Sequence, residues 1–138
     1  MQKPYIICHM VTSIDGKVTG DFLYKNECEY ATEIYYDINR SVKSNGFICG
    51  RVTMEESFTN CFYPELDEYS EIRDREDYVP DNLSGFYAVA FDTNGKLGWT
   101  SAHIIDDDPG YNNAQNVEVL SENVDGRYLS YLQTLNIP

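Results

Sequence analysis

The sequence predicts an α/β fold, a mainly parallel sheet flanked by helices. Short runs of β-branched and aromatic residues at 4–12, 47–49, 86–91 and 117–120 alternate with segments of helical periodicity at 28–43 and 126–135. Turn residues separate most of these runs. A length of 138 residues, with 42% apolar and 14% aromatic content, suits one packed domain.

Taken in order, PYIICHMVT (4–12) reads as a buried strand. Ser13-Ile14-Asp15-Gly16 breaks it with turn residues, and 18–23 reads as a short extended piece around Gly20. In 28–43, Ala31, Ile34, Tyr35, Ile38 and Val42 recur at helical spacing and make one apolar face, which Asn45-Gly46 ends. Phe47-Ile48-Cys49, between that helix and Gly50, reads as a buried strand. Thr53 ahead of Met54-Glu55-Glu56 is a helix N-terminus signal. The acid-rich segment 60–84, with Glu65, Asp67, Glu68 and Glu71 among its carboxylates, reads as a solvated loop or loose helix. Loops of that length also serve as lids. FYAVAF (86–91) is the next buried strand, followed by a turn at 92–95, an extended piece at 97–105 and a second break at 106–110. A strand at 117–120 precedes a helix at 126–135 with Tyr128, Leu129, Leu132 and Leu135 on one side. The runs IICHMV and YAVAF are too apolar to face water. An alternating fold expects a further strand after the last helix, so the chain is expected to be a single domain, 1–138, lacking its C-terminal strands.

Charge narrows the function classes. With 23 acidic against 10 basic residues the chain carries −13, which repels nucleic-acid backbones and anionic membrane surfaces. No apolar run approaches the roughly 20 residues that span a bilayer, and no secretory signal opens the sequence. Cys8, Cys28, Cys49 and Cys61 form no C-x-x-C pair and read as reduced thiols of a cytoplasmic protein. His9 reads as a core or edge histidine within its apolar run. No spacing of metal ligands, nucleophile-and-base order or phosphate-binding glycine motif is present.

Three segments have the composition of ligand loops. Thr12-Ser13-Ile14-Asp15-Gly16-Lys17 follows the first strand, where open α/β sheets bind ligands, and is equally readable as an ordinary turn. Gly50-Arg51-Val52-Thr53 joins a strand to a helix. It is either a phosphate site, with arginine offering a fork of donors, or a surface arginine beside a threonine cap. Asp92-Thr93-Asn94-Gly95-Lys96 follows a strand and reads by itself as a turn.

Together, a strand leading into S-I-D-G-K, a helix, and an apolar strand leading into G-R-V-T resemble the dihydrofolate-reductase-like superfamily, most of all its riboflavin-biosynthesis reductase branch. Residues 5–17 and 47–55 carry the resemblance, and 86–97 and 117–135 follow in register. It implies an NADPH-dependent oxidoreductase that transfers hydride to a small heterocyclic or ribosylamino-type substrate. Gly50, Arg51 and Thr53 would face the cofactor's phosphates, with Asp92 and Thr93 near its adenosine end. Asp15 would be the catalytic carboxylate, and Thr12, Ser13 and Gly16 would border the substrate. The position of the folate-binding carboxylate is Ile34, with Glu33 beside it, so the resemblance points away from folate. The superfamily's glycine-rich cofactor turn would follow residue 138. The alternative expectation is therefore a non-catalytic truncated domain that binds partners or forms homo-oligomers through uncovered edges.

Overall fold

Residues 46–50, GFICG, set aromatic and β-branched side chains between two glycines, and in a computed structural model of the chain they form β1 (Gly46–Gly50). Residues 3–83 and 85–138 are described, so Ser84, at the end of the acidic segment, lies outside the described residues. YAVAF forms β2 (Tyr87–Phe91) and QNVEV forms β3 (Gln115–Val119). The sheet has three strands in the order β1-β2-β3, all parallel. Helix α2 (Arg51–Met54) follows β1 directly and continues in wider π winding over Glu55–Thr59. After β3 comes α3 (Gly126–Thr134), capped by the Asp125 side chain. The α/β class with a parallel sheet and flanking helices is thus the observed one.

The chain divides into two compact units after Lys43. The second unit holds the buried core: Met54, Ala88, Ala90, Leu97, Trp99, Tyr128 and Leu132 are among its members. Strand register explains which sheet face it covers. Phe47, Ala88 and Asn116 stand side by side, as do Cys49, Ala90 and Glu118, and this face is turned inward. The opposite face carries Ile48 at 62% exposure and Phe91 at 50%, with Val119 also exposed. YAVAF therefore does face water in part, because strand residues alternate between faces and only the two alanines point into the core. The piece at 97–105 forms no strand beyond an isolated antiparallel bridge between His103 and Gln115. Segment 60–83 is loop throughout, without a helix or strand of its own.

The first unit departs furthest from expectation. Residues 4–12 form no strand, and Tyr5 and Ile6 are 91% and 77% exposed. A strand's backbone needs a hydrogen-bonding neighbour, and the described residues of this unit contain no second strand to supply one. Residues 18–23 are not extended: 3-10 turns occupy Asp21–Tyr24 and Asn26–Cys28. Helix α1 (Glu29–Val42) does form where the periodicity places it and ends at Lys43, in the left-handed region. None of its residues is buried, so its apolar face stays open, with Ile34 and Ile38 exposed. His9 stacks on Tyr35 with ring centroids 4.3 Å apart.

One glycine has a strict local reason. Gly95 sits at φ +65° in the turn after β2, and a Cβ there would lie 2.5 Å from Val124 Cγ2 and 2.6 Å from Tyr128 Cδ1. Gly50 has open space where its Cβ would be. Gly95→Ala is expected to cost about 2–3 kcal/mol through overpacking and positive-φ strain. Gly50→Ala should stay within about 0.5 kcal/mol. Urea denaturation of the two variants measures the contrast.

Candidate functional site

Parallel strands end together, so the residues just after them are gathered on one edge. Gly50 is register partner to Phe91, and Phe91 to Val119. The chain accordingly leaves β1 at Arg51 and β2 at Asp92 side by side. This brings Gly50, Arg51, Thr53, Asp92 and Thr93 to one end of the sheet. Arg51, Tyr63, Pro64, Leu66, Gly95 and Lys96 line a cleft there of about 390 Å³.

Arg51 pairs through Nη1 with Glu55, one helical turn on and buried. The hydrogen bond it donates to Glu55 raises the Arg51 guanidinium further above its ordinary range, and the field of Asp92 adds to it. Glu55 is likewise the main reason that the Tyr63 hydroxyl is raised above its ordinary value. One carboxylate thus organises two of the cleft's polar side chains. Its Oε1 is buried without a partner.

Asp92 is only 1% exposed. Its Oδ2 accepts from the backbone N–H groups of Lys96 and, at 2.8 Å, Leu97. Its work is to hold the 92–97 turn from inside. Thr93 is exposed, and its carbonyl accepts from the Ser121 hydroxyl at 2.7 Å. Thr53 is exposed too, and it is not the helix cap the sequence suggests: α2 starts two residues earlier, with Gly50 at the N-cap and no side-chain cap bond. The helix can begin there because Gly50 leaves β1 already extended, at φ −77° and ψ 163°.

Behind the turn lies a third buried carboxylate. Glu118 on β3 is 8% exposed. Its Oε1 accepts from Trp99 Nε1 at 2.5 Å and from the Tyr128 hydroxyl at 3.4 Å. Tyr128 also donates to the Leu97 carbonyl at 2.8 Å, and Tyr131 donates to the Trp99 carbonyl. Burial pushes the Glu118 carboxyl up to about 8, with the nearby Asp92 adding to the shift. Burial also raises both tyrosine hydroxyls.

In the first unit, Thr12-Ser13-Ile14-Asp15-Gly16-Lys17 closes on itself. Gly16 N–H donates to the Ser13 carbonyl at 2.9 Å, and Ser13 N–H to the Lys17 carbonyl at 2.9 Å, with Gly16 at φ +80°. This is a tight turn followed by a glycine bulge. Asp15 accepts from the Ser13 hydroxyl and pairs with Lys17 Nζ at 3.0 Å. The Ser13 bond and then Lys17 hold its carboxyl below the ordinary carboxylate range. Within its unit, Asp15 is a charged, exposed turn residue, and Thr12 is exposed beside it.

The sequence reading missed Glu55, Tyr63 and Glu118. Arg51 and Glu55 are four apart with opposite charges, a spacing that marks a helical ion pair. Tyr63 gave no signal, since it sits at the head of the acidic loop. Glu118 lies within a strand-like run and looks like a solvent-facing position until register shows which face is covered. All four cysteines are free thiols. Among the described residues, no cluster of three or more His, Cys, Asp or Glu side chains is placed to hold a metal ion. No helix among them is long and apolar enough to cross a membrane. The chain matches no family model, no curated protein and no solved structure.

Asp92→Ala removes an acceptor from the buried Leu97 N–H and the part-buried Lys96 N–H and should cost about 1.5–3 kcal/mol. Asp92→Asn, which keeps one acceptor oxygen, should cost less than half as much. Equal losses in urea denaturation would assign the effect to charge instead of the hydrogen bonds.

Proposed function

We propose that the chain belongs to a cytoplasmic NADPH-dependent reductase, and that the cleft between Arg51 and Lys96 takes a phosphate of the cofactor. The observation that carries this reading is the convergence of Arg51 with the 92–96 turn at the carboxyl ends of adjacent parallel strands. Open α/β sheets bind ligands there. The donor set fits a phosphate. Arg51 uses Nη1 for Glu55, so Nε and Nη2 remain on its fork, and Lys96, also in the lining, adds an ammonium. Gly95 has no side chain to obstruct the approach. When bound, the cofactor supplies the hydride; the chain's own groups bind and orient it. The assignment of a small heterocyclic or ribosylamino-type substrate, and of a role for Thr12, Ser13, Asp15 and Gly16 in binding it, rests on the superfamily resemblance.

Calorimetry with NADPH and NADH tests the reading. The cofactors differ by one phosphate. An arginine–phosphate contact is charge-assisted, so Arg51→Ala should weaken NADPH binding about 10- to 100-fold and NADH binding far less. Equal loss for both cofactors overturns it.

A second reading, a non-catalytic unit that forms homo-oligomers, is favoured by the open face of the sheet. Ile48, Phe91 and Val119 are exposed on adjacent strands, and parallel sheets are ordinarily covered on both faces. Under this reading light scattering gives a mass of at least twice 15.9 kDa, and Ile48→Lys returns it to the monomer value. A monomer at all concentrations removes it.

A further inference from the structure

Two buried carboxylates stand close behind the 92–99 segment, and each has one oxygen without a partner: Asp92 Oδ1 and Glu118 Oε2. Their other oxygens are fully used. Asp92 Oδ2 holds the N–H groups of Lys96 and Leu97, and Glu118 Oε1 holds Trp99 and Tyr128. The backbone draws the two residues together, since Asp92 N–H donates to the carbonyl of Val119, next to Glu118, at 3.1 Å. A lone buried acceptor is costly, and two are more so. Glu118 is register partner to Ala90, two residues before Asp92.

We propose that Glu118 and Asp92 form a proton-sharing acid pair, with the Glu118 Oε2 hydroxyl donating to Asp92 Oδ1, and that this pair is a pH-sensitive latch on the segment 92–99. The segment bears Gly95 and Lys96, a wall of the Arg51 cleft. The latch does not depend on what that cleft binds.

The groups around the pair make the proton necessary. From α3, Tyr128 and Tyr131 face Glu118 as neutral hydroxyls, and from the 92–99 segment Trp99 faces it as an indole. From α2, Arg51 feels the charge of Asp92 but is itself tied to Glu55. No cation is bonded to Glu118. Losing the proton leaves two carboxylates facing each other in the core, and the cheapest relief is to let the 92–99 segment move out. Burial holds the Glu118 proton up to about 8 against an ordinary value of 4.5. The unfolded chain gives that proton up near its ordinary value while the folded chain keeps it. The contribution of Glu118 to stability is therefore complete below about pH 4.5 and is lost as pH rises through about 8.

Trp99, the chain's one tryptophan, reports on the pair directly through its bond to Glu118. Its fluorescence is followed from pH 5 to 10 in the unaltered protein, alongside infrared absorption of the carboxyl groups at pH 7. The expected result is a protonated carboxyl band at neutral pH and a fluorescence transition with its midpoint near 8. In Asp92→Asn, which removes the facing charge, the midpoint falls by about one pH unit. In Glu118→Gln the transition and the band disappear. Absence of the band from the unaltered protein at pH 7 overturns the proposal and needs no variant to fold. A midpoint that Asp92→Asn leaves in place overturns the pairing even where Glu118 titrates.

Discussion

The hydrogen-bonded clamp on residues 92–99 is the constraint from which the rest of the second unit follows. Four side chains from three elements hold this segment. Asp92, just past β2, takes two of its N–H groups. Tyr128 and Tyr131 on α3 donate to the Leu97 and Trp99 carbonyls, and Glu118 on β3 takes the Trp99 indole. Each bond satisfies a group that would otherwise be buried without a partner. A sheet of three short strands has little hydrogen bonding of its own to fix its edge. The clamp supplies it, and it sets where α3 lies. It also explains Gly95, because Tyr128 on α3 and Val124 just before the helix press against the turn so closely that no Cβ fits.

Much of this was legible in the sequence, for identifiable reasons. β1, β2, β3, α1 and α3 announce themselves through local pattern: alternation or apolar runs for the strands, helical spacing for the helices. The gathering of Arg51 and Asp92 at one edge follows from parallel topology, which alternation of strand and helix implies. Residues 4–12 mislead because an apolar run shows only that a segment could be buried in a sheet. Whether it is depends on a neighbour elsewhere in the chain, which composition does not reveal. Thr53 misleads for a related reason. A hydroxyl ahead of two glutamates is a good cap, but an extended glycine one turn earlier starts the helix first. Glu118 was illegible because its meaning depends on register: in QNVEV it occupies an inward position beside Ala90, where a carboxyl is least expected.

The distribution of charge sharpens what the cleft can select. The chain carries −13 overall, and an anionic ligand approaches against that field. Arg51 and Lys96 are the local exception. Glu55 offsets Arg51 in net charge while fixing its guanidinium in place, and it engages Tyr63 as well. A pinned arginine loses little freedom on binding, so it favours ligands that fit its fork over anions in general. An unpaired arginine would be a stronger attractor and a poorer discriminator.

The same trade appears in the core. Burying Asp92 and Glu118 beside each other costs stability that two apolar side chains of similar size would not. Apolar replacements, however, have no directional demand and could not hold the amides of Lys96 and Leu97 or orient Trp99. The carboxylates make the 92–99 segment adopt one conformation, and that segment brings Lys96 into the cleft that Arg51 also lines. The geometry of the cleft is thus set from behind, by groups that do not line it. It follows that the residues the cleft depends on most are not those that line it. Substitutions at Glu118, Tyr128 or Tyr131 should disturb ligand geometry through the segment they hold, while a change at exposed Thr93 or Thr53 acts only at its own position.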